Sequence, residues 1–330
     1  MNTTPFYTLH VISSTSADRA GSDQQLPQVA AAGRLGAAGR RALVLGGGGS
    51  TGNAWLIGIV AGLFDGGLDV TAADLTIGTS AGATAAAQLA GATPTELLAA
   101  TRAAVPQQRS GSVGSDRGRA PNRPVTDHLE RIRTIIASAQ DAPDMRRRMG
   151  AAAVAMDEAS DGSWQSQWRT TVASRLPSQL WPQRTVLMTA VDAQTGKPVV
   201  FDQHSGVDLA DAVAASCASG LPYRIGDNRY IDGGYRRNEN ADLAAGYERI
   251  LVLSPLGGRT LHPPGWGMQL ASQVEELRAR GSRVETIVPG AESEHLFGAN
   301  AMDLSLREPA AQAGYDQGRA LAGQLTEFWN

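Results

Sequence analysis

The sequence predicts an α/β protein, a three-layer α/β/α sandwich around a mostly parallel sheet with a helical insertion part-way along the chain. Three observations carry that expectation. Two strand–glycine turn–helix units follow one another directly, over residues 41–64 and 75–90. Short apolar runs rich in β-formers alternate with helical patterns again from residue 185 onward. Between these regions, residues 105–180 read as loop and helical patches, an insertion between the second helix and the later strands.

The first unit opens with Arg41-Ala42-Leu43-Val44-Leu45, a buried strand, and runs straight into Gly46-Gly47-Gly48-Gly49-Ser50-Thr51-Gly52. A helix is expected over 53–64, where Leu56, Ile59, Val60 and Leu63 recur at helical spacing, and Asp65-Gly66-Gly67 ends it. Leu75-Thr76-Ile77 is the next strand, and Gly78-Thr79-Ser80-Ala81-Gly82 turns it into an alanine-rich helix. Thr93-Pro94-Thr95-Glu96 is a capping box with proline at the first helical position, starting a helix to about residue 104.

Residues 107–123 then form a Ser-, Gly-, Arg- and Pro-rich loop, followed by helical patches near 125–139, 143–158 and 163–175. Segment 102–149 carries ten arginines against five acids, including Arg146-Arg147-Arg148. That excess reads either as a mobile lid facing anionic lipid or as a solvated helical face. Trp164, Trp168 and Trp181 are expected to pack the insertion onto the sheet. Strands follow at 185–191, 198–201, 229–231, 250–253 and 284–288, with helices near 205–215, 268–280 and from 308.

Composition bounds the function classes. A chain of 330 residues, 42% hydrophobic and 18% charged, can build one large domain, expected here over 41–330. A net charge of −3 gives no global reason to expect a nucleic-acid partner. Lys197 is the one lysine among 29 basic residues. Cys217 is the one cysteine, which excludes an internal disulfide and a cysteine metal cluster and fits a reducing compartment. No apolar run approaches the ~20 residues of a membrane-spanning helix. Residues 1–40 are polar and lack a basic start followed by an apolar core, so they are expected to form a disordered extension outside the fold. A cytoplasmic protein, with peripheral contact to anionic membrane through the insertion, is the corresponding expectation.

The glycine loop admits three readings. Gly47-x-Gly49-x-x-Gly52 formally matches a dinucleotide fingerprint, but Asp74 precedes the next strand and Gly78-Thr79-Ser80 stands where the ribose-binding acid belongs. Gly47-x4-Gly52 has Walker A spacing, yet Asn53 and Ala54 replace the lysine and the hydroxyl residue. The third reading is an oxyanion hole, because consecutive glycines leave their N–H groups unshielded. Ser80 sits in G-x-S-x-G at a strand–helix turn, where Gly78 and Gly82 let the two backbones pass closely. Parallel strands bring both loops to one sheet edge. Asp232-Gly233-Gly234 is first of all a good turn. A carboxylate desolvated at that strand end could also take a proton from a serine.

Gly47-Gly48-Gly49, Gly78-Thr79-Ser80-Ala81-Gly82 and Asp232-Gly233-Gly234, in that order, resemble the patatin-like phospholipase family. Gly58-Ile59-Val60-Ala61-Gly62-Leu63 and Ala215 through Pro222 are similar to that family's connecting segments, and the likeness spans about 41–260. The resemblance implies lipid acyl hydrolysis by a serine–aspartate dyad without metal or cofactor. Ser80 would be nucleophile, Asp232 the base, Gly47, Gly48 and Gly49 the oxyanion donors, and Gly46, Gly52, Gly78, Gly82, Gly233 and Gly234 the supporting turns. One position departs from the pattern: Thr51 stands where the family often has a basic residue. A Ser–Asp–His triad would need His262 or His295, which follow Asp232 in loops. A non-catalytic lipid-binding protein on the same fold is the remaining alternative.

Overall fold

The computed structural model describes residues 40–103 and 125–330. The expected extension at 1–40 and the loop at 107–123 lie almost wholly outside the described residues. Eight strands form one sheet: β1 (Arg41–Leu45), β2 (Leu75–Gly78), β3 (Thr185–Asp192), β4 (Pro198–Phe201), β5 (Tyr223–Ile225), β6 (Asn228–Asp232), β7 (Arg249–Leu253) and β8 (Arg283–Ile287). β3, β2, β1, β7 and β8 lie side by side and parallel, with β1 central. β4 and β6 pair antiparallel with β3, and β5 with β6.

Strand side chains alternate between faces, and here both faces are apolar. Leu43, Leu45, Leu251 and Leu253 point into one core. That core is covered by α1 (Gly49–Asp65), α2 (Ala81–Gly91), α3 (Pro94–Ala103), α7 (Leu209–Ser216) and α9 (Arg307–Trp329). Ala42, Val44, Ile250 and Val252 point into the other, closed by α8 (Leu270–Ala279) through Leu270, Val274 and Leu277. The three-layer α/β architecture follows from that alternation.

α1 is buried from Thr51 to Leu63, and α9 crosses it at very short range. A Cβ at Gly58 would stand 2.2 Å from Ala311 O, and one at Gly314 would stand 2.4 Å from Trp55 O. Bare backbone on both helices permits the crossing.

Between α3 and β3 come α4 (Val125–Ser138), α5 (Ala142–Glu158) and α6 (Trp164–Ala173). Ile136, Met145 and Met149 pack onto Val191 of β3 and Ile231 of β6, over the antiparallel corner of the sheet. Trp164 and Trp168 on α6, and Trp181 beyond it, are half-buried against the main core. The Trp168 and Trp181 indole N–H groups donate to Ala214 O at 3.1 Å and Val207 O at 2.7 Å. The arginine run is not one continuous basic face. Arg146 is 3% exposed and donates to Gly196 O, while Arg147 and Arg148 both reach Asp144.

Element starts differ from the sequence expectation at two helices. α1 begins at Gly49 rather than 53, because the Thr51 amide finds an acceptor in Ala301 O at 3.0 Å, a residue 250 positions away. α7 begins at Leu209 rather than near 205, since Asp202 to Ser205 close a turn of their own. The short edge strand β5, joined to β6 by a turn at Gly226, was not expected from the sequence.

Candidate active site

The site lies where two strands meet end to end. Met188 pairs with both Gly78 and Phe201, and Ala190 pairs with both Val199 and Asp232. A strand has only two edges, so β4 takes one edge of β3 while β2 and β6 share the other. β2 runs parallel to β3 and β6 antiparallel to it, so their C-terminal ends point at each other across Thr189. Gly78 leads from one end into Ser80, and Asp232 is the other.

Ser80 has φ 53° and ψ −114°, one of two non-glycine residues with positive φ among those described. Such a conformation costs about 1–3 kcal/mol and is held only when its surroundings enforce it. Here α7 enforces it: Ser80 N–H donates to Ser216 Oγ at 2.9 Å, and Cys217 Sγ donates to Ser80 O at 3.1 Å. Burial pushes the Cys217 thiol up to about 12, so it serves as a neutral donor. A Cβ at Gly82 would lie 1.9 Å from Leu45 O, which is why the turn passes so close to β1.

Asp232 is 7% exposed, and its Oδ1 accepts from Gly234 N–H at 2.8 Å. Burial raises its carboxyl to about 6, while hydrogen bonding from the Gly234 amide and the Ser80 side chain restrains the rise. Gly233 sits against β3, with the position of an added Cβ 2.4 Å from Thr189 O.

The glycine loop lies beside the serine: a Cβ on Gly47 would stand 3.6 Å from Ser80 Cβ. Its amides differ in their commitments. Gly46 N–H donates to Leu253 O at 2.9 Å and Gly47 N–H to Asn238 O at 3.0 Å. The Gly48 and Gly49 amides have no protein acceptor among the described residues. Gly47 thus shapes the loop, and Gly48 and Gly49 stand at the start of α1. Gly52 packs on Pro255 one turn into that helix.

Several residues at the site carried no motif. Asn238 Nδ2 donates to Gly47 O at 3.3 Å and to Glu239 Oε1 at 3.0 Å, linking the segment after the Asp232 turn to the glycine loop. Glu239 is 1% exposed, raised by burial, and accepts from Ser254 Oγ at 2.7 Å beneath Gly46. Arg307 at the start of α9 donates to Ser50 O at 2.7 Å and to Asn53 Oδ1 at 3.2 Å. A cation thus reaches the loop that Thr51 leaves without one. Their signals were a lone Arg and short polar residues in loops, which no local pattern separates from solvated ones.

Among the described residues, no histidine hydrogen-bonds Ser80 or Asp232. His262 pairs with Thr260 Oγ1 at 2.6 Å, and burial with the nearby Arg146 charge lowers it to about 4. His295 lies in a separate 3-10 turn. Among the described residues, no group of three His, Cys, Asp or Glu side chains could hold a metal, and no helix is long and apolar enough to cross a membrane.

Comparison with curated protein sequences returns no match. Among solved structures, VipD from Legionella pneumophila is 15% identical with a TM-score of 0.41, over 87% of this chain and 67% of that one. The type III effector ExoU is 16% identical with a TM-score of 0.37, over 87% of this chain and 53% of that one. ExoU in complex with SpcU, from Pseudomonas aeruginosa, is 17% identical with a TM-score of 0.30, over 85% of this chain and 53% of that one. This chain spans only about half the length of ExoU. The family model for patatin-like phospholipase matches residues 43–245, from the first strand through the Asp232 turn, and the chain belongs to the patatin-like phospholipase family.

Proposed function

We propose that the protein is a lipid acyl hydrolase of the phospholipase A or esterase type, acting through an acyl-enzyme on Ser80 with Asp232 as general base. The observation that carries this reading is the Asp232 carboxyl, buried beside the Ser80 hydroxyl and raised to about 6. At neutral pH it is ionised, yet basic enough to accept a proton as the serine oxygen attacks.

Ser80 Oγ adds to the ester carbonyl and its proton passes to Asp232. The oxyanion accepts from the Gly48 and Gly49 amides, where a single well-placed donor contributes about 3–4 kcal/mol. Collapse expels the alcohol, which takes the proton from Asp232. Water, deprotonated by the same carboxylate, then releases the acid. Membrane contact would draw on the exposed part of the insertion, and binding to anionic over zwitterionic vesicles, weakened by salt, tests it.

A fluorophosphonate should label Ser80 and fail to label Ser80→Ala. With a soluble ester, Asp232→Asn should lose about 10²–10⁴-fold in kcat/KM, while His262→Ala and His295→Ala stay near wild type. A hundredfold loss, on the same general-base scale, in either folded histidine variant would reject the dyad in favour of a triad.

A further inference from the structure

We propose that Asn240 is a positioning residue whose side-chain amide sets the separation between Ser80 and Asp232; this rests on reading those two residues as nucleophile and base. β2 and β6 meet end to end along β3, so no hydrogen-bond ladder runs between them. The distance between the two turns must be fixed by whatever fills the gap.

Asn240 fills it. The residue is fully buried and left-handed, at φ 55° and ψ 34°. Its Nδ2 lies 3.0 Å from Thr79 Oγ1, 3.2 Å from Thr189 Oγ1, 3.3 Å from Gly233 O and 2.6 Å from Arg237 O. Thr79 immediately precedes the serine, Gly233 immediately follows the aspartate, and Thr189 is the β3 residue opposite the gap. Thr79 and Thr189 are themselves joined, Oγ1 to Oγ1, at 2.9 Å.

The orientation of the amide is fixed chemically. Arg236 Nη1 lies 2.6 Å from Asn240 Oδ1, and a guanidinium only donates. The Gly233 and Arg237 carbonyls only accept, so the NH₂ must face them. Arg236 is anchored in turn on Asp242 at 2.9 Å. Asn240 precedes the 3-10 turn Ala241–Ala244, but its side chain makes no capping bond there. The two N–H groups of the amide are divided between Arg237 O, the nearest acceptor, and the groups on the two sides of the gap.

The test separates positioning from folding. Asn240→Asp keeps the size, the left-handed tolerance and the Arg236 contact but removes the N–H donors. Asn240→Gly keeps the backbone conformation and serves if the aspartate variant fails to fold. Thr101→Val is the remote control, removing a buried hydroxyl bonded to Leu97 O on α3. Fluorophosphonate labelling is followed to completion: its amplitude counts competent molecules, and its rate constant reports nucleophile activation in each.

The Asn240 variants should reach full amplitude among folded molecules with a rate constant lowered about 10–100-fold, the scale of a small misplacement of reacting groups. Thr101→Val should change melting temperature or amplitude and leave the rate constant unchanged. Asn240 variants labelling within about twofold of wild type, well short of that scale, would overturn the positioning role and leave the dyad standing. Labelling that is absent in wild type, or that survives Ser80→Ala, would overturn the dyad itself and this role with it.

Discussion

The Ser80 turn and the Asp232 turn both hold an unfavourable state, but they store it differently. At Ser80 the cost is conformational, a positive φ on a residue with a Cβ, enforced by Ser216 and Cys217. At Asp232 the backbone is relaxed, at φ −48° and ψ 136°, and the cost is electrostatic. A carboxylate has been taken out of water, and among the described residues the Gly234 amide is its one close backbone donor. Strain in φ is independent of pH, whereas the cost of a desolvated charge exists only once the group ionises. One turn should therefore respond to pH and the other should not.

The largest expected effect of that difference is on rate. If Asp232 must be ionised to act, kcat/KM on a soluble ester should fall about tenfold per pH unit below the Asp232 pKa and level off above it, with a midpoint near 6. A pH–rate profile flat from 4.5 to 8, on the same reasoning, would place the base elsewhere.

Stability comes next, with a definite sign. Asp232 is raised from 3.8 to about 6, so between those values the folded chain holds a proton that the unfolded chain has released. Rising pH then favours unfolding through that window, and the loss is complete above it. Asp232→Asn removes the penalty. It should gain up to about 3 kcal/mol over wild type at pH 8 and nothing near pH 3, measured by urea unfolding at both values. A gain equal at both pH values would contradict an electrostatic cost.

The smallest effect belongs to the other turn. Ser80→Gly relieves the positive φ and should be about 1 kcal/mol more stable than Ser80→Ala, equally at pH 5 and pH 8 because both lack the hydroxyl that bonds Asp232, and both should abolish labelling. A gain that varied with pH would mean that the Ser80 strain is coupled to the Asp232 charge.

Much of this is legible in the sequence. The three motif turns, the strand–glycine–helix units and the Thr93–Glu96 capping box are local patterns. The box closes as expected, with Glu96 accepting from Thr93 N–H at 2.9 Å. Periodicity also located α4, α5 and α6 to within a residue or two. Local pattern falls short where a hydrogen-bond partner comes from far along the chain. The start of α1 depends on Ala301, and the loop's cation arrives from α9. The Gly47 N–H likewise finds its acceptor far along the chain, in Asn238 O. Asp232-Gly233-Gly234 was visible as a turn, but nothing local tells a solvated aspartate from a buried one.

By itself the sequence determined the α/β class, the family and the places where backbone must run without side chains, because those constraints act within a few residues of each glycine. Only the tertiary structure decided that β2 and β6 share one edge of β3, and so that Ser80 and Asp232 face each other. It also decided that the Asp232 carboxyl is desolvated and that Asn240 spans the gap. Strand-end separation and local dielectric depend on register and on what packs above, and both are set by residues that lie tens to hundreds of positions apart.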